Sequence, residues 1–316
     1  MTGSLRRHSN LQRFLDSITP SVSSKSLPKS CMREMNSLWQ PIGQEDVEYF
    51  ALGDLWDGYS EWSAYGAGVP IIFPGGESVI QYYVPYLSAI QIYTTKALAS
   101  LRTLGEESES DSWSDDSESE KLSRSWDAAS EDSSFDQEAS WPSNRLGYLY
   151  FQYIECCPPW GRIPLMDKVN ELSKSYPGLM SFKSSDLSPA SWMSVAWYPI
   201  YHIPARKNAK DLSASFLTFH TISSCFQVSD NALMGSEKDM DVCCAASNGR
   251  RTNCSSKCAA LPPFGLATYK MQGSLWIAPQ SLDQEKLATL CSAADSWLKQ
   301  LRVFHHDFNF FMTHAI

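Results

Sequence analysis

Asp54, Asp57 and Glu61 stand at i, i+3 and i+7 in the stretch LGDLWDGYSEWSAYGAGVPI. On a helix the three carboxylates share one face. Clustered carboxylates bind Mg²⁺ or act as general acid and base. The same stretch places Leu52, Leu55, Trp56, Tyr59 and Trp62 at the spacing of an apolar helix face. The carboxylates fall opposite that stripe. A catalytic or metal cluster is one reading and the solvated side of a packed helix is the other. The second accounts for both stripes with one element and is preferred. Gly66 and Gly68 can end the helix, and Pro70 prevents its continuation.

Two other sets of residues have the right chemistry. His202, His220 and His306 could hold a metal if the fold brought them together, but no HExxH run or EF-hand loop supports it. Structural histidines are the simpler expectation. Cys243, Cys244, Cys254 and Cys258 give four thiols within 16 residues, a possible Zn²⁺ set. Adjacent cysteines seldom ligate one ion comfortably, so a thiol-bearing loop is preferred, and no metal or cofactor is expected. Cys156-Cys157 lacks the redox spacing Cys-x-x-Cys. No G-x-S-x-G elbow, kinase signature, P-loop or dinucleotide fingerprint occurs. A Ser-His-Asp set assembled only by folding stays open, because triads are recognised by geometry.

The net charge of -9 hides an asymmetry. Residues 106–140 hold 13 acidic and 2 basic residues, leaving 22 acids and 24 bases elsewhere. A near-neutral body with one acidic insert shows no basic footprint of a nucleic-acid binder. No apolar run approaches the roughly 18 to 20 residues of a membrane span, so no membrane partner is expected. The first residues lack an apolar signal core, and nine cysteines is an odd number. Together these favour a reducing compartment, cytoplasmic and/or nuclear. The basic opening, with Arg6, Arg7 and Arg13 before any acid, has a faint transit-peptide character.

The elements that must position these residues can be read by period. NLQRFLDSITP predicts a short helix inside an otherwise mostly flexible, Ser-rich segment 1–37. VPIIF, the turn PGG and SVIQYYV predict a hairpin, and LSAIQIYTT a further strand after Pro85. IPLMDKVNELSKSYPG predicts a helix. DLSASFLTFHTIS alternates imperfectly, as a strand buried on both faces does. FGLATYKMQGSLWIA predicts a hairpin turning at Gln272-Gly273. SLDQEKLATLCSAADSWLKQLRV is the clearest helix, with Leu287, Leu290, Ala294, Trp297, Leu298 and Leu301 as its buried stripe. Helices and hairpins interleave without βαβ alternation. The predicted fold class is therefore α+β, an antiparallel or mixed sheet with packed helices. One domain would combine 38–104 with 145–312. Residues 105–144 form a disordered acidic insert, and residues 229–260 a flexible Cys-containing one.

LGDLWDGYSEWSAYGAGVPI, VIQYYVPYLSAIQIY, PLMDKVNELSKSYPGL, LSPASWMSVAWYPIYHIP, PFGLATYKMQGSLW and ADSWLKQLRVFHHDFNFF, in this order, resemble a plant family, domain of unknown function 789. The resemblance covers most of 10–104 and 145–312 and includes the opening NLQRFLDSITPSV, which weakens the transit-peptide reading. It implies a plant source and an intracellular protein. It implies no activity, substrate or catalytic residue.

Ser108, Ser112, Ser117 and Ser133 each precede an acid by three residues, and Ser9 follows Arg6-Arg7-His8. Such sites suit acid-directed and basophilic kinases, and each phosphate adds about -1.5 to -2 charges. A Trp-rich body without a catalytic motif, carrying a modifiable insert, fits a non-enzymatic protein that binds a protein or peptide partner. An enzyme or small-molecule binder whose site only the fold assembles is the alternative. Nucleic acid is the least favoured partner.

Overall fold

The computed structural model describes residues 8–32, 34–41, 43, 45–95, 146–200, 212–226, 257–277 and 282–314. The acidic insert lies outside the described residues, as does all of 229–260 before Lys257. The helices are α1 (Asn10–Ser17), α2 (Glu34–Trp39), α3 (Leu52–Tyr65), α4 (Leu165–Ser173), α5 (Gly178–Ser181), α6 (Gly273–Trp276), α7 (Asp283–Gln300) and α8 (His306–Thr313). The strands are β1 (Ser21–Ser23), β2 (Lys25–Pro28), β3 (Asp46–Tyr49), β4 (Ala67–Ile72), β5 (Ser78–Thr94), β6 (Tyr148–Ile154), β7 (Trp192–Pro199), β8 (Ser215–Thr221), β9 (Cys258–Ala260) and β10 (Gly265–Tyr269).

The main sheet is antiparallel, in the order β10-β8-β7-β5-β4, with β6 also paired to β5. Strands from both sides of the acidic insert share this sheet, so the fold is α+β and its core is common to both halves. β5 is the organising strand. It runs straight through Pro85, where two strands are expected. It pairs with β4 up to Tyr83 and with β6 from Ala89, so Pro85 sits where β5 has β7 alone beside it. A proline is compatible with a sheet where no second ladder needs its N–H.

One face of the sheet is closed by α1, α3, α4 and α6 over an aromatic core. Phe14 stacks on Phe216 at 3.9 Å, and Tyr83, Trp197 and Trp276 surround it. The Ser-rich opening segment, expected to be mostly flexible, thus supplies a central helix. Ser9 caps α1 by accepting the Gln12 N–H. The Asn10 amide bonds Ile72 and Leu275, pinning the helix to β4 and α6.

The other face is covered by α7 and α8, which bury Ala294, Leu298, Phe308 and Phe311 against Trp192, Ala196, Leu217 and Phe219. The predicted stripe of α7 faces inward. Close approach requires Gly265 on β10, where a Cβ would lie 2.9 Å from the Ala294 Cβ. β8 is buried on both faces as its sequence predicts. The hairpin predicted at Gln272-Gly273 is absent. The chain leaves β10 through Lys270 at φ 55 and makes the short helix α6. The apolar Leu275 and Trp276 are buried by turning toward the α1 side instead of pairing with β10.

Candidate functional site

The polar centre of the molecule lies under α8 and depends on an irregularity in β5. Its register with β7 slips between Leu87 and Ala89, leaving Ser88 as the extra residue. A bulge re-aims side chains, and Ser88 Oγ donates to Asp307 Oδ2 at 2.5 Å. The Arg162 guanidinium grips both oxygens of Asp307 at 2.7 Å each, with side chains 3% and 9% exposed. Burial works against the guanidinium charge, but the hydrogen bonds and charge of Asp307 outweigh it and raise the Arg162 pKa.

This pair anchors the loop Glu155–Ile163. Arg162 Nε donates to the Cys157 carbonyl at 2.8 Å. Glu155 accepts the N–H groups of Cys156 and Cys157 and the Tyr153 hydroxyl. Burial raises the Glu155 pKa, yet these bonds hold it below the ordinary value. The Glu155 N–H donates to the Ser88 carbonyl, tying the loop to the bulge. At the tip Trp160 is 88% exposed. The loop thus holds an indole in water while Arg162 and Glu155 bond its base.

Beside the ion pair, His305 Nε2 lies 2.8 Å from Ser194 Oγ. The pair resembles half of a hydrolytic triad, but its proton arrangement is inverted. The Phe308 N–H donates to His305 Nδ1, so the neutral ring carries its proton on Nε2 and donates to the serine. A general base needs a free lone pair on the nitrogen facing the serine. Both residues are buried, and burial pushes the His305 pKa down to about 4. His305 is a neutral cap for α8.

His220 is treated similarly on the opposite face. Its Nδ1–H donates to the Leu261 carbonyl at 3.0 Å, so Nε2 accepts from the Thr218 hydroxyl at 2.9 Å. Thr218 in turn accepts from the Trp197 indole. Every polar atom is satisfied, and burial pushes this histidine down to about 4 as well. His306 is exposed on α8 and packs edge-on to Phe304. His220 and His306 therefore lie on opposite sides of the sheet and do not meet, while His202 is outside the described residues.

Asp54, Asp57 and Glu61 are exposed along α3, and Leu52, Leu55, Trp56 and Tyr59 on the same helix are buried. The Trp56 indole donates to the Leu179 carbonyl at 2.6 Å, holding α3 to α5. Cys258 is exposed on β9, and Cys243, Cys244 and Cys254 fall outside the described residues. Among the described residues no three His, Cys, Asp or Glu side chains group as a metal site. Three thiols are pushed upward: Cys157 by the hydrogen bond and charge of Glu155, Cys225 and Cys291 by burial. A raised thiol pKa gives less thiolate, the opposite of an activated nucleophile. Ser9 is the helix cap described above, and Ser108, Ser112, Ser117 and Ser133 lie outside the described residues.

Sequence reasoning missed the residues that form the polar centre. Ser88, Arg162, Ser194 and Asp307 have no shared motif, and Ser88 and Asp307 are 219 positions apart. One signal was available: Asp307 is a lone acid in the aromatic run HHDFNFF, and a charge in a packed segment requires a partner.

Fold and site together define an α+β protein built on one main antiparallel sheet, with the Arg162–Asp307 pair, His220 and His305 committed to internal bonds. The chain belongs to the family described as protein of unknown function (DUF789), whose model matches residues 9–311. No curated protein and no solved structure matches it. Among the described residues no helix is long and apolar enough to cross a membrane.

Proposed function

We propose that this chain is a non-enzymatic interaction protein that docks a protein partner through Trp160. The observation that carries this is the pairing of an 88% exposed indole with a loop fixed by a buried bidentate ion pair and by the bonds to Glu155. Binding hot spots are enriched in tryptophan, and a preformed loop avoids the ordering cost of association. The partner presents an apolar pocket, wide enough for an indole, with an acceptor for its N–H. Ile163 and the prolines Pro158 and Pro159 flank Trp160 and supply an apolar rim.

The family resemblance supports a plant protein of the cytoplasm and/or nucleus. Ser108, Ser112, Ser117 and Ser133 are the proposed phosphoacceptors of the acidic insert, where added charge extends the chain further. Ser9 is a fifth site, where a phosphate replaces the capping hydroxyl of α1.

Affinity purification with the full chain and with Trp160→Ala tests the docking role. The variant loses its principal partner while its melting temperature stays within about 1–2 °C of the parent, since an exposed side chain contributes little to stability. An unchanged set of partners contradicts the proposal.

A further inference from the structure

The loop that carries Trp160 opens with two adjacent cysteines. Cys156 and Cys157 are both free and exposed. Their backbone is tied to a single atom: Glu155 Oε1 accepts the Cys156 N–H at 3.0 Å and the Cys157 N–H at 2.8 Å. The Cys157 thiol also donates to the Glu155 carboxylate, and Cys156 Sγ donates to the Ile154 carbonyl at 3.6 Å. The peptide between the two cysteines is thereby held in one orientation. Adjacency makes a different device from a spaced Cys-x-x-Cys pair. The peptide is trans, which sets the two Cα atoms at about 3.8 Å, below the roughly 4.4–6.8 Å of most disulfides. A bond between these sulfurs closes a strained ring, and strained, exposed disulfides are the readily reduced ones.

We infer that Cys156 and Cys157 are a site of reversible oxidation, closing to a vicinal disulfide that frees the Trp160 loop from Glu155. The co-reactant is a peroxide. The Cys156 sulfur attacks one peroxide oxygen. The S–O bond forms, the O–O bond breaks, and the other oxygen leaves as water with the thiol proton. The Cys157 sulfur then attacks the Cys156 sulfenic acid. The S–S bond forms, the S–O bond breaks, and a second water leaves with the Cys157 proton. The two thiols lose two electrons and the peroxide gains them. Cys157 resolves rather than attacks first, because the hydrogen bond and charge of Glu155 keep it protonated. Ring closure turns the Cys156–Cys157 peptide and removes the Cys157 S–H, so Glu155 loses these donors together. The loop keeps Arg162 at one end and loses its hold at the other. The consequence for partner binding rests on the docking role of Trp160, whereas the oxidation does not.

The test uses the full chain, hydrogen peroxide as the probe, and two readouts that need no partner. These are the mass of the peptide holding both cysteines and the rate of chymotryptic cleavage after Trp160. The oxidised peptide is lighter by two hydrogen atoms, and cleavage becomes about tenfold faster, as loss of hydrogen bonds to a charged acceptor predicts. Dithiothreitol reverses both changes. Cys157→Ser stops at the Cys156 sulfenic acid, which dimedone traps, and keeps the slow cleavage. Cys156→Ser leaves Cys157 a thiol. Both positions are exposed, so neither change threatens folding. Thiols recovered unmodified, or only in mixed or interchain disulfides, overturn the inference. So does a vicinal disulfide that leaves the cleavage rate unchanged. A chain that oxidises and opens in this way, yet keeps every partner in Trp160→Ala, upholds the inference and fails the docking role alone.

Discussion

The two faces of the sheet are closed by different physics. On the α1 side the seal is aromatic: Phe14, Tyr83, Trp197, Phe216 and Trp276 interlock with ring centroids 3.9–6.5 Å apart. On the α8 side the apolar layer surrounds an ion pair, a bulged serine and a neutral histidine. The first arrangement is non-directional and tolerates repacking. The second is geometric: removing one member leaves the others buried without partners. The α8 side therefore fixes where a loop stands, and the α1 side mainly supplies stability. The exposed Trp160 belongs to the loop that the polar side fixes.

Acidification attacks both faces together and is the largest expected effect. His220 and His305 are held near pKa 4 by burial, against 6.5 for the free side chain. Between these values the unfolded chain binds protons that the folded chain refuses, so stability falls as the pH is lowered. The contribution is fully present above about pH 6.5 and is lost by about pH 4, on the order of 3 kcal/mol for each histidine. Urea midpoints measured across that window check it, and a flat profile contradicts the buried neutral assignments.

Single substitutions then separate the faces. Asp307→Ala strands a buried guanidinium and costs about 3–5 kcal/mol. Phe14→Ala empties the aromatic side at a similar cost of about 3–5 kcal/mol. The two losses differ in how they can be repaired. Arg162→Met combined with Asp307→Leu restores part of the stability, because the two apolar groups need no partner and only the Ser88 hydroxyl is left buried without its acceptor, while loop 155–163 loses its anchor and limited proteolysis cuts it. Denaturation of the double variant with the loop still protected sinks the distinction. The smallest effect is on α3: the triple change Asp54→Asn, Asp57→Asn, Glu61→Gln shifts stability by less than about 0.5 kcal/mol per site, as chemical denaturation should show.

The legible parts of this molecule are those governed by period. The stripes of α3 and α7, the β4–β5 hairpin and the double burial of β8 follow from spacing alone, because burial selects residues every 3.6 or 2 positions. The continuous β5 was not legible, since Pro85 reads as a break until β4 and β6 are seen to leave its neighbourhood open. The turn at Gln272-Gly273 looked like a hairpin because glycine and alternation are shared by both outcomes, and tertiary burial of Trp276 decided between them. The acidic stripe of α3 reads from its spacing as the solvated side of a packed helix, and Asp54, Asp57 and Glu61 lie in water. The buried ionic centre was not legible, because its parts meet only through long-range pairing and a one-residue bulge. Its nearest sequence candidate, His306, stands beside the working residue, His305.

The most direct test of the account is photo-crosslinking in cells from two surface positions. A benzophenone amino acid replaces Trp160 in one full-length variant and Asp57, on the exposed face of α3, in the other. The account predicts a discrete protein adduct from position 160 and none from position 57. No adduct from position 160, or the same adducts from both positions, would contradict it.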